Sequence, residues 1–274
     1  MENQLTTQQN TKSLSELMHS PAVVCKLNEV WNNKQMANSF ISSVISVANG
    51  NPQLRKAEPM SIIGAAMVAS TMQLQVIPTL GQCYIIPYGN KAQFQVGYLG
   101  LLQLCQRSGQ FKKILAAPVH EGEYISGDEF DEDYIFDRTK RKSDKVIGYM
   151  AKFELLNGFT KVAYWDIDKV KAHATKFSQA FRAGFNSPWK SDFDAMAQKT
   201  VLKSILKFAP KSIEMQNAVA FDQAVVNTNT SDVQDLDIDA FAPEYVDNIE
   251  SEKRENFAEK AVEAAKANVN ESKK

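Results

Sequence analysis

Lys199, Lys203 and Lys207 recur at i, i+4 and i+8. On an α-helix that spacing stacks ammonium groups along one side, about 6 Å apart along the axis. Such a stripe can follow successive phosphates of an extended polynucleotide strand. It equally describes the solvated outer face of an amphipathic helix, and the stripe taken alone favours that plainer reading. A second set of residues lies in a stretch without acids. Between Glu58 and Glu121 there is no Asp or Glu, while Lys91, Arg107, Lys112 and Lys113 lie there. The same stretch holds Tyr84, Tyr88, Phe94 and Tyr98, interleaved with Gln93 and Gln95. Rings that stack on bases, beside cations that hold phosphates, suit single-strand binding. The plainer reading buries Tyr84 and Phe94 in the core. Gln93 and Gln95 alternate with Phe94 and so face away from it, where they can bond phosphates and sugars.

A third set is carboxylate. Glu121, Glu123, Asp128, Glu129, Asp131, Glu132 and Asp133 are nearly consecutive, and convergent carboxylates can hold Mg²⁺ for hydrolysis. Catalytic ligands, however, are usually drawn from several elements, and this run reads better as a solvated acidic loop. Three scattered histidines, His19, His120 and His173, assemble neither a zinc site nor a Ser-His-Asp triad. The glycine loop Gly-x-x-x-x-Gly-Lys-Ser/Thr that wraps a nucleotide triphosphate does not occur.

The net charge of −1 conceals a division. Residues 161–211 carry ten basic and four acidic side chains, Arg182 and Lys190 among the basic ones. Residues 222–274 carry 13 acids against six bases. A basic body joined to an acidic tail is more informative than the total. Cys25, Cys83 and Cys105 are far apart and odd in number, which fits reduced and mostly buried thiols. The polar start has no signal-peptide pattern, and no apolar run reaches the roughly 20 residues of a membrane span. These features read as a cytoplasmic protein with no membrane partner.

The elements that must position these groups follow from periodicity. The pattern predicts a helical segment over 14–49 and a second helix over 59–74 with Pro59 in its first turn. A β-hairpin is expected at 82–96 around Gly89-Asn90. A helix at 97–108 should close at Gly109. Strands are expected at 113–119, 123–126, 134–137, 146–155 and 159–165, with Asn157-Gly158 turning between the last two. The lysine stripe sits on a helix over 192–208, with Ser191 as N-cap, Asp192 and Asp194 in the first turn, and Pro210 as the stop. The expected fold is α+β, a small antiparallel sheet with a hairpin packed against helices. Residues 1–12 are read as disordered, 13–226 as the folded core, to which the resemblance described next assigns DNA binding and oligomerisation, and 227–274 as a flexible acidic region with an amphipathic helix over 250–267.

Four separated blocks resemble the RecT family of phage single-strand annealing proteins. They are Pro59-Met60-Ser61-Ile62 with Ala65-Ala66, Gln82-Cys83-Tyr84-Ile85-Ile86-Pro87-Tyr88, Phe94-Gln95-Val96-Gly97-Tyr98-Leu99-Gly100, and Trp189-Lys190-Ser191-Asp192-Phe193 running into Met196-Ala197-Gln198-Lys199-Thr200 and ending at Pro210. The resemblance covers roughly residues 35–215. It implies binding of single-stranded DNA and annealing of complementary strands without ATP, by a ring or helical filament that holds DNA in a basic groove. The implied groove residues are Lys91, Gln93 and Gln95 of the hairpin, the pair Lys112 and Lys113, and Lys199, Lys203 and Lys207, and the charge and aromatic pattern adds Tyr98, Arg107 and Lys190 as DNA-binding candidates. It implies no required cofactor, with Mg²⁺ as a modulator only. The implied partners are single-stranded DNA, the annealed duplex, further copies of the chain, and a phage exonuclease or host single-strand binding protein at the C-terminal region. Under this reading Lys199→Ala or Lys203→Ala weakens binding to all sequences and flattens its salt dependence. A metal-dependent nuclease using the 121–133 carboxylates, and a protein that coats single strands without pairing them, are the alternatives.

Overall fold

The computed structural model of the protein describes residues 12–185, 187–228, 232–237 and 241–244. The expected helix over 250–267, and the rest of the acidic tail beyond 244, lie outside the described residues, as do residues 1–11 of the expected disordered start. With about 48% helix and 23% strand, the chain is α+β.

The single helical segment expected over 14–49 is three helices, α1 (Leu14–Met18), α2 (Pro21–Trp31) and α3 (Lys34–Gly50). Local chemistry breaks it twice. Pro21 has no N–H to continue α1, and Ser20 caps α2 instead. Asn32 then turns left-handed at φ 48°, and the Asn33 side chain accepts the N–H groups of Gln35 and Met36 to start α3. Helix α4 (Pro59–Thr71) is the hub. Every residue from Ser61 to Ser70 is buried, so it shows no amphipathic stripe and can only be a central helix.

Strands β1 (Cys83–Tyr88) and β2 (Lys91–Val96) form the expected hairpin, in register Tyr84↔Gln95, Ile86↔Gln93 and Tyr88↔Lys91. Cys83 and Ile85, with Ala92, Phe94 and Val96, make its core face, and α4 packs on β2. Helix α5 (Tyr98–Arg107) follows at once. A Cβ on Gly97 would lie 2.0 Å from the Gly81 carbonyl oxygen, and one on Gly100 2.0 Å from that of Gln82. The glycines of the Gly97-Tyr98-Leu99-Gly100 block are therefore a packing requirement, since only a residue without Cβ lets α5 lie on this backbone.

A separate antiparallel sheet, order β3-β6-β7, is built from β3 (Phe111–His120), β6 (Val146–Leu155) and β7 (Thr160–Asp166). Between β3 and β6 the chain makes the two-stranded excursion β4 (Tyr124–Ser126) and β5 (Ile135–Phe136). Helices α6 (Ile167–Phe177), α7 (Gln179–Arg182), α8 (Pro188–Ser191), α9 (Phe193–Leu206) and α10 (Ile213–Ala220) follow. Helix α9 packs on β3, β6 and β7, against the face that buries Tyr149, Ala151 and Phe153. Strand β8 (Ala224–Asn227) then returns to pair antiparallel with β2 (Phe94↔Ala224), and β9 (Ala242–Glu244) completes the order β1-β2-β8-β9. Val233 and Leu236 belong to the buried core, so packing continues past β8.

Candidate nucleic-acid interface

Helix α9 is capped by Asp192, not by the expected Ser191. The Asp192 side chain accepts the Ala195 N–H at 3.1 Å, while Ser191 closes the preceding short helix α8. Asp194, in the first turn, accepts a hydrogen bond from the Tyr149 hydroxyl and so ties α9 to β6. Val201, Leu202, Ile205 and Leu206 are buried beneath it, each contributing roughly 1.5–3 kcal/mol.

The lysine stripe does not face solvent along its length. The Lys199 side chain is 5% exposed and lies 2.9 Å from one carboxylate oxygen of Asp222, itself 1% exposed. Lys203, 35% exposed, meets the other oxygen at 2.6 Å. Lys207 is exposed. The gradient follows from geometry. Four residues turn an α-helix through about 400°, so each step of the stripe moves about 40° around the axis. Two steps carry it from core to solvent. Asp222 also accepts the Val96 N–H at 3.2 Å, so one carboxylate joins α9 to the end of β2. Burial opposes the ionisation of Asp222, but the two ammonium groups outweigh it and hold the carboxyl below the usual carboxylate range. Burial pulls Lys199 below the usual lysine range, against the attraction of Asp222.

The hairpin alternates as the sequence predicts, yet Gln95 does not reach solvent. It is buried beneath α9, its amide nitrogen 4.0 Å from the Met196 sulfur. Strand alternation sets which face a residue takes; it does not reveal that a helix whose Met196 lies 101 residues later covers that face. Gln93 and Lys91 remain half-exposed on the same face as Tyr84, which is half-buried where the plainer reading had it in the core. Phe94 is fully buried. The Tyr98 hydroxyl serves the edge of β3, donating to the Ala116 carbonyl at 3.3 Å and accepting its N–H at 3.2 Å. Arg107 donates to the Met72 carbonyl at the end of α4. Lys112 and Lys113 are exposed at the start of β3, Lys112 paired with Glu154 at 2.6 Å. Lys190 is exposed and lies 3.4 Å from the Gly184 carbonyl. The structure thus brings Lys199 and Lys203 together on Asp222, and turns Gln95, Tyr98 and Arg107 to holding elements in place.

Another cationic surface combines lysines of the basic 161–211 segment with rings that no sequence pattern singles out. Lys169, His173 and Phe177 form an i, i+4, i+8 stripe on α6. The His173 ring lies 4.5 Å from Phe177 and 5.5 Å from Trp165 of β7. Lys169 stands 5.1 Å from the Trp165 ring, and Lys176 5.3 Å from that of Phe177. Beyond α9, Lys161 and Lys207 flank the Phe208 ring at 4.2 and 5.0 Å. The acidic loop reaches this region. Glu129 pairs with Lys169 at 2.9 Å and Glu132 with Lys161, while Asp128 accepts the N–H groups of Phe130 and Asp131 in its own turn. Among the described residues, no group of three or more His, Cys, Asp or Glu is arranged to hold a metal ion.

The RecT family model matches residues 38–235. The chain is 42% identical over 249 residues to "Uncharacterized protein YqaK" of Bacillus subtilis (strain 168), covering 90% of this chain and 84% of that protein. It is 29% identical over 181 residues to "Protein RecT" of Escherichia coli (strain K12), covering 63% of this chain and 66% of that protein, just under two thirds of its length.

Proposed function

The chain belongs to the RecT family, and on that premise we propose that it binds single-stranded DNA and anneals it to a complementary strand without ATP, as a ring or helical filament. Proteins of this family act in single-strand annealing during recombination and are not classical enzymes. One observation carries the reading. The family match spans the acid-free stretch, the hairpin and α9 together. The lack of a triphosphate-binding glycine loop in the full sequence supports independence from ATP.

In this mechanism Lys203 and Lys207, with Lys112, Lys113 and Lys190, neutralise phosphates along one strand. Lys199 acts indirectly, through Asp222, by holding the carboxylate that orients Lys203. Bases keep one edge open to an incoming strand, so pairing supplies sequence specificity and the protein supplies alignment and charge. No cofactor is required, and Mg²⁺ modulates only by screening phosphates. The protein works in the bacterial cytoplasm, and its acidic C-terminal region meets an exonuclease or a single-strand binding protein.

The binding half of this reading is tested by anisotropy of labelled oligonucleotides at several salt concentrations. Homopolymers and mixed sequences should bind with similar affinity, and log K should fall linearly with log salt, by about 0.7 per phosphate neutralised. Salt-independent binding, or strong preference for one sequence, would remove the phosphate-tracking mechanism. Electron microscopy of the complexes reads rings or filaments directly.

A further inference from the structure

We propose that α6 and the strand before it carry a base-stacking site for single-stranded DNA, formed by Trp165, His173 and Phe177 and edged by Lys169 and Lys176. The proposal rests on the single-strand-binding reading above and adds to it a site for bases, where α9 offers only cations.

The argument starts from spacing. Lys169, His173 and Phe177 are four residues apart and share one side of α6, while Val170 and Ala174 take the buried side. The helix follows β7 directly, which sets Trp165 beside His173 at 5.5 Å, and the row continues to Phe177 at 4.5 Å. Phe177 ends the row with 61% of its surface exposed. A single exposed Phe is ordinary. A row of three rings with an ammonium group beside each end is not, since it combines faces that stack with any base and charges that hold the connecting phosphates. Burial, then the charges of Lys203 and Lys176, hold His173 below its ordinary range. It therefore stacks as a neutral ring at pH 7.

Charge identifies the occupant. Lys169 already holds an anionic oxygen, the Glu129 carboxylate at 2.9 Å. The acidic loop thus shows that this ammonium is set to receive one. A strand of negative charge with aromatic bases fits the rim and the row together. A second copy meeting this face with its own would set lysines against lysines.

The fold supplies a reporter. Of the three tryptophans, Trp31 is 7% and Trp189 5% exposed, while Trp165 packs on the core with one part open and is the one that a base can approach. The experiment titrates the full chain with oligo-dT, following tryptophan fluorescence and, separately, the anisotropy of a labelled oligonucleotide. Fluorescence should be quenched in step with anisotropy. Trp165→Phe should abolish the quench and, with a smaller ring left in the row, lower the affinity read by anisotropy by less than Phe177→Ala does. Phe177→Ala should weaken binding roughly 5- to 150-fold, the range for losing one base–ring stack, Phe177→Leu should do likewise, and Phe177→Tyr should restore it. Binding without a quench, and unaffected by Phe177→Ala, overturns the stacking site and leaves single-strand binding standing. Failure of the labelled oligonucleotide to bind at all overturns the single-strand reading itself. Sedimentation velocity closes the remaining route. If Phe177→Ala disperses the assembly with affinity per subunit unchanged, the row belongs to a contact between copies and the proposal fails.

Discussion

Helices α9 and α6 both carry lysine-bearing stripes at four-residue steps, and they put them to opposite uses. On α9 the stripe begins inside the protein, where Lys199 and Lys203 share the buried Asp222, and reaches solvent only at Lys207. On α6 the stripe lies at the surface from end to end, with Lys169 exposed, His173 half-buried and Phe177 exposed. The spacing is the same, and the surroundings differ. Helix α9 packs across all three strands of the β3-β6-β7 sheet and reaches β2 through Gln95–Met196 and Asp222. Helix α6 buries chiefly Val170 and Ala174. A lysine stripe is therefore a binding surface only where the helix that bears it has a face to spare.

The sharpest way to break this contrast is to remove Asp222. Asp222→Ala leaves a buried ammonium unpaired and should destabilise the fold by about 3–5 kcal/mol, read from chemical denaturation. A loss under about 1 kcal/mol would mean that the cluster is solvated and the contrast false. The pH dependence has a definite sign. The Asp222 carboxyl is held below its ordinary range in the fold. Its contribution is therefore complete at neutral pH and is lost as pH falls below about 3.9, the ordinary carboxylate value, toward the lower folded one. Asp222→Asn, measured alongside, should flatten that acid limb.

The second test separates neighbours that spacing alone treats alike. Lys203→Ala should lower single-strand affinity several-fold and reduce the salt slope by about 0.7. Lys199→Ala should cost stability and leave the slope unchanged, because both Lys199 and Lys203 pair with Asp222 but only the Lys199 side chain is buried out of reach of a phosphate. Equal slope changes in both would return Lys199 to the groove. The smallest expected effect is on α6. Glu129→Gln frees Lys169 from an exposed ion pair worth at most about 1 kcal/mol, and should tighten binding by no more than about fivefold. Weaker binding would show that the loop assists the strand instead of competing with it.

Local features of this fold were legible in the sequence. Strand β6 has the expected bounds, the Gly89-Asn90 hairpin and the Asn157-Gly158 turn stand where turn chemistry puts them, and α9 is displaced by a residue or two at each end. Hidden from it was whatever depends on a partner distant in sequence. Asp222 lies 23 residues beyond Lys199 and 126 beyond Val96, and no periodicity reveals that three such groups converge. Gln95 was assigned the right face of β2, but the helix covering that face was out of reach of strand alternation. The α6 stripe is a different case. Its spacing is visible in the sequence, but a charge count registers only Lys169 and Lys176, and His173 reads there as one of three scattered histidines.

The most direct test of the central claim is annealing itself. Two complementary oligonucleotides carrying a donor and an acceptor dye are mixed with the full chain in the absence of any nucleotide, and pairing is followed by energy transfer against a non-complementary control. Annealing without ATP predicts pairing much faster than the protein-free rate, for complementary strands only. Binding that leaves the pairing rate unchanged would contradict it, and would make this a protein that coats single strands without joining them.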